Sequence, residues 1–104
     1  MELVPKALLD GVIRVFDPVQ VILFGSRARG DAREDSDIDL YVVVDDDTPD
    51  ERLSSRQVSR ARLDYPRAVD IVLARRSDHE KRRSWLGALA RTVANEGRVV
   101  YSRG

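Results

Sequence analysis

Cysteine is absent from these 104 residues, which excludes disulfides and thiolate-held zinc and makes a cytoplasmic setting the expectation. Net charge is absent as well. Eighteen Lys and Arg balance eighteen Asp and Glu, so the chain lacks the basic excess of a nucleic-acid binder, and no direct nucleic-acid binding is expected. The single histidine, His79, has no second imidazole with which to form a catalytic pair or a metal cage, and its charged surroundings read as an exposed turn. No apolar run reaches the roughly 18 residues of a membrane span. Met1-Glu2-Leu3-Val4-Pro5-Lys6 also lacks a basic n-region, so neither a signal peptide nor a membrane partner is expected. Repeats and low-complexity linkers are missing too. A chain of this length is expected to form one domain over 1–104, with no room for a second, substrate-binding domain.

What is present has clear periodicity. Leu8, Leu9, Val12, Ile13 and Phe16 recur at three- and four-residue spacing, predicting a helix from Pro5 to Phe16 that is weakened by Gly11 and ended by Asp17-Pro18. Val19 to Phe24 is nearly all apolar and rich in strand-forming residues and reads as a strand buried on both faces. A strand from Asp37 to Val44 follows, then a mostly exposed helix over Asp50 to Leu63. Ala68 to Ala74 forms a third strand. Ser77 and Glu80 make a capping-box pattern for a last helix over Asp78 to Asn95, whose buried side would carry Trp85, Leu86, Leu89 and Val93. Arg98 to Tyr101 predicts a short edge strand.

Between the first two strands lies the chemistry. The strand ends at Gly25-Ser26, followed by Arg27-Ala28-Arg29-Gly30, and the next strand opens with Ser36-Asp37-Ile38-Asp39-Leu40. Gly25 lets the backbone turn sharply and approach a ligand closely. A short helix over 26–31 would point its free N–H groups at a phosphate above the corner. On a strand, i and i+2 share a face, so Asp37 and Asp39 aim at one space. Two such carboxylates suit Mg²⁺, a hard cation that takes one or two carboxylates plus substrate phosphates. The competing reading is an ordinary Gly-Ser turn followed by solvated loop acids. Asp70 is the one acid in the third strand. A carboxylate among β-branched residues needs either a partner or solvent.

This combination of strand, Gly25-Ser26, fixed gap and strand-borne Asp37-Ile38-Asp39 resembles the signature of the DNA polymerase β-type nucleotidyltransferase superfamily. It is most similar to the minimal nucleotidyltransferase (MNT) branch, and the element order along most of the chain agrees. The resemblance implies an α+β fold: a small mixed sheet of three core strands and a short edge strand, flanked by about four helices. It also implies that Asp37, Asp39 and Asp70 are catalytic and hold two Mg²⁺ ions. Gly25 and Ser26 would bind the triphosphate of ATP, with Arg27, Arg29 and Ser36 as further nucleotide contacts. MNT proteins resemble antitoxins paired with HEPN-domain ribonuclease toxins, some of which receive AMP on a tyrosine. The implied activity is therefore Mg-dependent protein adenylyl transfer within a hetero-oligomer. A binding-only antitoxin with an idle site is the alternative, as is nucleotidyl transfer to a small molecule.

Three charge clusters lie outside this signature. Asp45-Asp46-Asp47 follows the far end of its strand and reads as a solvated turn. Arg75, Arg76, Lys81, Arg82 and Arg83 form a basic cluster that could receive an acidic partner, a nucleotide tail or RNA, or simply solvate a helix start. Arg52, Arg56, Arg60 and Arg62 likewise read as a soluble helix surface or a contact.

Overall fold

The computed structural model describes residues 4–25, 28, 30, 37–85 and 87–103. The predicted helix over 26–31 and the predicted contacts Ser26, Arg27, Arg29, Ser36 and Leu86 fall partly or wholly outside those residues. Helix α1 (Lys6–Phe16) leads to β1 (Gln20–Phe24) and β2 (Ile38–Val44). A 3-10 turn (Asp50–Leu53) and α2 (Ser55–Ala61) then cross to β3 (Val69–Arg75). Helices α3 (Arg76–Arg82) and α4 (Leu89–Glu96) precede β4 (Arg98–Ser102). The four strands form one mixed sheet in the order β3-β2-β1-β4. β1 is antiparallel to β2 and β4, while β2 and β3 are parallel. This is the expected α+β architecture, with β4 at an edge. Among the described residues no helix is long and apolar enough to cross a membrane.

Strand alternation creates two apolar layers. Val21, Leu23, Ile38, Leu40, Val42 and Val44 pack against Leu8, Val12 and Phe16 of α1 and Ala61 of α2. On the opposite face Ile22, Tyr41 and Val43 meet Ala90 and Val93 of α4. β1 is therefore buried on both sides through Val21 to Leu23, because helices cover both faces. Gly11 is required rather than merely tolerated: a Cβ there would sit 2.1 Å from the Ala61 carbonyl oxygen. Close approach of α1 to α2 outweighs the roughly 1 kcal/mol helix penalty of glycine. Asp17 ends α1 in the left-handed region, φ 45°, with its N–H on the Ile13 carbonyl. Aspartate tolerates this region better than most residues do.

The last predicted helix is two helices. The break between Arg82 and Leu89 contains Gly87 at φ 81°, and Trp85 and Leu89, expected to be buried, are 48% and 42% exposed. α3 packs on the sheet through His79 and α4 through Ala90 and Val93, so the chain must turn between them. Trp85 lies instead under its own basic neighbours, 5.8 Å from both Lys81 Nζ and Arg82 Cζ, a cation–π arrangement. No capping box forms at α3, which follows β3 directly. The Ser77 N–H donates to Asp46 Oδ1 at 2.9 Å, so the acidic turn supplies that cap across the fold. This bond, reinforced by nearby Arg75 and Arg76, holds the Asp46 carboxyl below its usual range. Arg75 Nη1 binds the carbonyls of Asp46 and Thr48 at 3.0 and 2.6 Å, and Arg103 Nη2 binds Asp45 Oδ2 at 2.6 Å. Asp45 and Asp46 are thus anchors of the loop, not merely solvated acids.

His79 is the other correction. It is buried, 8% exposed, with Nδ1 3.2 Å from the Tyr41 hydroxyl. Burial pushes its pKa down, as does the charge of Arg83, against a smaller opposite pull from Glu80. A histidine whose folded pKa lies below its ordinary value of about 6.5 binds fewer protons folded than unfolded. Stability must then fall as pH drops below about 6.5, levelling off once the folded pKa is passed. The Asp46 contribution disappears only in the more acidic carboxylate range. Thermal melts between pH 7.5 and 5.5 should show a loss of Tm in the wild type that is reduced in His79→Gln; an unchanged slope would remove His79 as its source.

Candidate active site

The register brings two of the predicted acids together. Phe24 of β1 pairs with Asp39 of β2, and Asp39 pairs in parallel register with Asp70 of β3. Paired residues point to the same side, and adjacent strands lie about 4.8 Å apart, so Asp39 and Asp70 stand side by side. Their row closes the second sheet face, next to the row of Ile22, Tyr41 and Val72. Asp39 is half-buried, whereas Asp70 and Asp37 are exposed. Asp37 precedes the first ladder residue, Ile38, so strand pairing does not fix it as it fixes Asp39. Among the described residues no three His, Cys, Asp or Glu side chains are gathered closely enough to hold a metal ion. Carboxylates repel one another, and the register sets Asp39 and Asp70 side by side without fixing Asp37 beside them. Two hard oxygen donors still fit Mg²⁺, which completes its octahedron with waters and substrate phosphate.

Gly25 sits directly over Asp39. Its φ is 77°, and a Cβ built on it would lie 2.3 Å from Asp39 Oδ2. The corner at the end of β1 therefore has to be glycine for two reasons: left-handed backbone and the carboxylate beneath it. Beyond the corner, the Ala28 N–H returns to the Gly25 carbonyl at 3.1 Å, and Ala28 is buried in the main core. Arg98 Nε donates to the Ala28 carbonyl at 2.9 Å. Arg98 thus braces the Gly25 turn from β4, a contact with no local signature in the chain. At the other strand, Arg62 Nη1 and Nη2 donate to the carbonyls of Val69 and Arg67 at 3.4 and 2.8 Å, clamping the entry to β3 just before Asp70.

A groove of about 760 Å³ lies elsewhere, between α1, the 3-10 turn and α2, lined by Arg14, Arg52, Arg56 and Arg60. It holds none of the three aspartates. A smaller one of about 430 Å³ borders β3 on the active face, with Tyr41, Val72, Ala74 and Leu89 among its walls. Chemistry therefore favours the Asp39 and Asp70 row over the larger space: carboxylates beside a tight backbone corner can hold a cation and a phosphate together, and arginines alone cannot.

Comparison with known proteins shows the family and the fold. A candidate protein adenylyltransferase of Methanocaldococcus jannaschii is 35% identical over 82 residues, spanning 79% of this chain and 77% of that protein. A chain of a toxin–antitoxin crystallised with AMP-PNP superposes with a TM-score of 0.55 at 24% identity, over 96% of this chain and 75% of that one. A candidate nucleotidyltransferase from Sulfolobus solfataricus gives 0.54 at 20% identity, over 96% and 91%. At those identities the two structures speak to the fold, and the fold is shared. The model of the family described as "Polymerase beta, Nucleotidyltransferase" matches residues 12–104, and the chain belongs to that nucleotidyltransferase family.

Proposed function

We propose that this protein transfers AMP from ATP to a tyrosine hydroxyl of a HEPN-type ribonuclease toxin and so acts as its antitoxin in the cytoplasm. The observation that carries the reading is Asp39 beneath the Gly25 corner with Asp70 in register beside it. The adenylyltransferase name of the M. jannaschii relative and the toxin–antitoxin origin of the structural neighbour support the nucleotide and the setting. Gly25 and Ser26 would hold the triphosphate through backbone N–H and hydroxyl, assisted by Arg27, Arg29 and Ser36. Asp37, Asp39 and Asp70 would hold two Mg²⁺ ions, which when bound neutralise phosphate charge.

The acceptor oxygen attacks the α-phosphorus, forming the new P–O bond as the bond to the bridging oxygen breaks and pyrophosphate leaves. The hydroxyl proton passes to Asp70 or to water beside it. Such a transfer depends mainly on positioning and charge neutralisation, so no histidine base is needed, in keeping with His79 being buried against Tyr41.

Co-expression with the product of the adjacent gene, followed by incubation with ATP and Mg²⁺, tests this. Mass spectrometry should find AMP added to a tyrosine of that product, and a chelator should prevent the addition. An unmodified partner whose nuclease activity is nonetheless blocked would establish the binding-only antitoxin instead.

A further inference from the structure

Among the described residues β3 is an edge strand whose outward backbone has no strand to pair with. The phase of its hydrogen bonds follows from one contact, the Ile38 N–H to the Ala68 carbonyl at 3.4 Å. In a parallel ladder, alternate residues turn both backbone groups to the same neighbour. Ala68, Asp70, Val72 and Ala74 therefore face β2, and Val69, Ile71 and Leu73 face outward. The Val69 carbonyl is taken by Arg62. Ile71 and Leu73 present their N–H and C=O groups at the open edge.

That edge is not guarded as exposed edges usually are. Asp70 and Arg75 are the charged residues of β3, and its middle is Ile71-Val72-Leu73-Ala74, without the lysine, proline or bulge that commonly blocks pairing. The groove of about 430 Å³ straddles it, with Leu53 and Leu73 on one side and Val72, Ala74, Arg82 and Leu89 on the other. A groove that wraps a free strand edge, with walls from both strand faces, fits the alternating side chains of an extended peptide.

We infer that the edge of β3 receives an extended segment of the acceptor protein as a fifth strand, and that this segment carries the modified hydroxyl. The inference rests on the adenylyl-transfer reading above and deepens it. A residue of the added strand opposite Asp70 lies one strand spacing away and on the same face as Asp70 and Asp39. The row Phe24, Asp39, Asp70 is extended by one member, and that member is the acceptor. Positioning is thereby supplied by backbone pairing, and the flanking side chains select the partner through the Val72 and Leu89 side of the groove.

Amide exchange measured by NMR on the wild-type protein, alone and in complex with the adjacent gene product, tests this residue by residue. The Ile71 and Leu73 amides should exchange at least tenfold more slowly in the complex, while the inward amides of Asp70 and Val72 are already slow without it. Leu73→Pro, which removes an outward N–H that the fold's own ladder does not use, should raise KM for the partner at least tenfold with little change in ATP binding. If that variant does not fold, the wild-type exchange decides alone. AMP transfer without protection at Ile71 and Leu73 overturns this inference and leaves the activity standing; protection without transfer keeps the added strand but overturns both the activity and the strand's role as acceptor. Neither protection nor transfer ends both. Concentration-dependent protection in the isolated protein would assign the edge to a second copy, and the partner strand would be wrong.

Discussion

Gly25→Val is expected to reduce nucleotide affinity by about 100-fold, or ~2.7 kcal/mol, and to lower stability by about 1–3 kcal/mol. Both effects come from the same atom. A Cβ at residue 25 meets Asp39 Oδ2 at 2.3 Å, on a backbone at φ 77°, and a β-branched residue is an outlier at positive φ. The carboxylate must swing away or the corner must open, and either movement separates the phosphate-binding turn from the acid beside it. Gly25→Ala should show the same direction with smaller strain.

A double-mutant cycle separates the two roles of this glycine. In an Asp39→Ala background the steric part of the Gly25→Ala penalty disappears and the φ penalty stays, so the two substitutions should be non-additive in stability by 0.5 kcal/mol or more, within the usual range for residues in contact. Additive losses would mean that Asp39 relaxes freely and that Gly25 serves only the backbone turn. Isothermal titration with a non-hydrolysable ATP analogue and chemical denaturation give the two readouts.

The features that sequence reading captured are local or periodic. Strand alternation separates Asp39, Tyr41 and Val43 from Leu40, Val42 and Val44, and the glycine at the end of a buried strand marks the corner. Long-range contacts had no such signature. His79 looked solvated because Asp78, Glu80 and Lys81 surround it in the chain, yet its Tyr41 partner lies 38 residues away and the sheet covers it. Asp46 looked like a turn residue because its hydrogen-bond donor, Ser77, is 31 residues away. Arg98 reaches Ala28 over 70 residues. Trp85 illustrates the converse failure: helical spacing assigned it to an apolar face, but the break at Gly87 ends that periodicity. Gly11 was read by propensity alone, and the carbonyl of Ala61 that makes it necessary belongs to another helix.

Asp70→Asn should separate activity from stability, and this separation is the sharpest test of the row. Removing one group that stabilises charge in the reacting centre lowers kcat by about 10²–10³-fold, and Asp39→Asn should lose at least as much. The fold should respond in the opposite direction for Asp70. It is exposed at the edge strand and stands in register beside Asp39, and like charges directly opposite one another on a sheet are destabilising by roughly 0.2–1 kcal/mol. An amide of the same shape relieves that repulsion, so Asp70→Asn should melt at the same temperature as the wild type or slightly above it in the absence of Mg²⁺ and nucleotide. Adding both should stabilise the wild type and move the variant much less, because ligand that binds the folded state raises stability by RT ln(1 + [L]/Kd), which shrinks as Kd rises. The two curves are then expected to cross: the variant is the more stable when empty and the less stable when loaded. A variant destabilised when empty and still active would make Asp70 a structural residue of β3. A variant that keeps the ligand-induced shift but loses turnover would restrict Asp70 to activating the acceptor hydroxyl, leaving Asp39 and Asp37 to hold the metal and nucleotide.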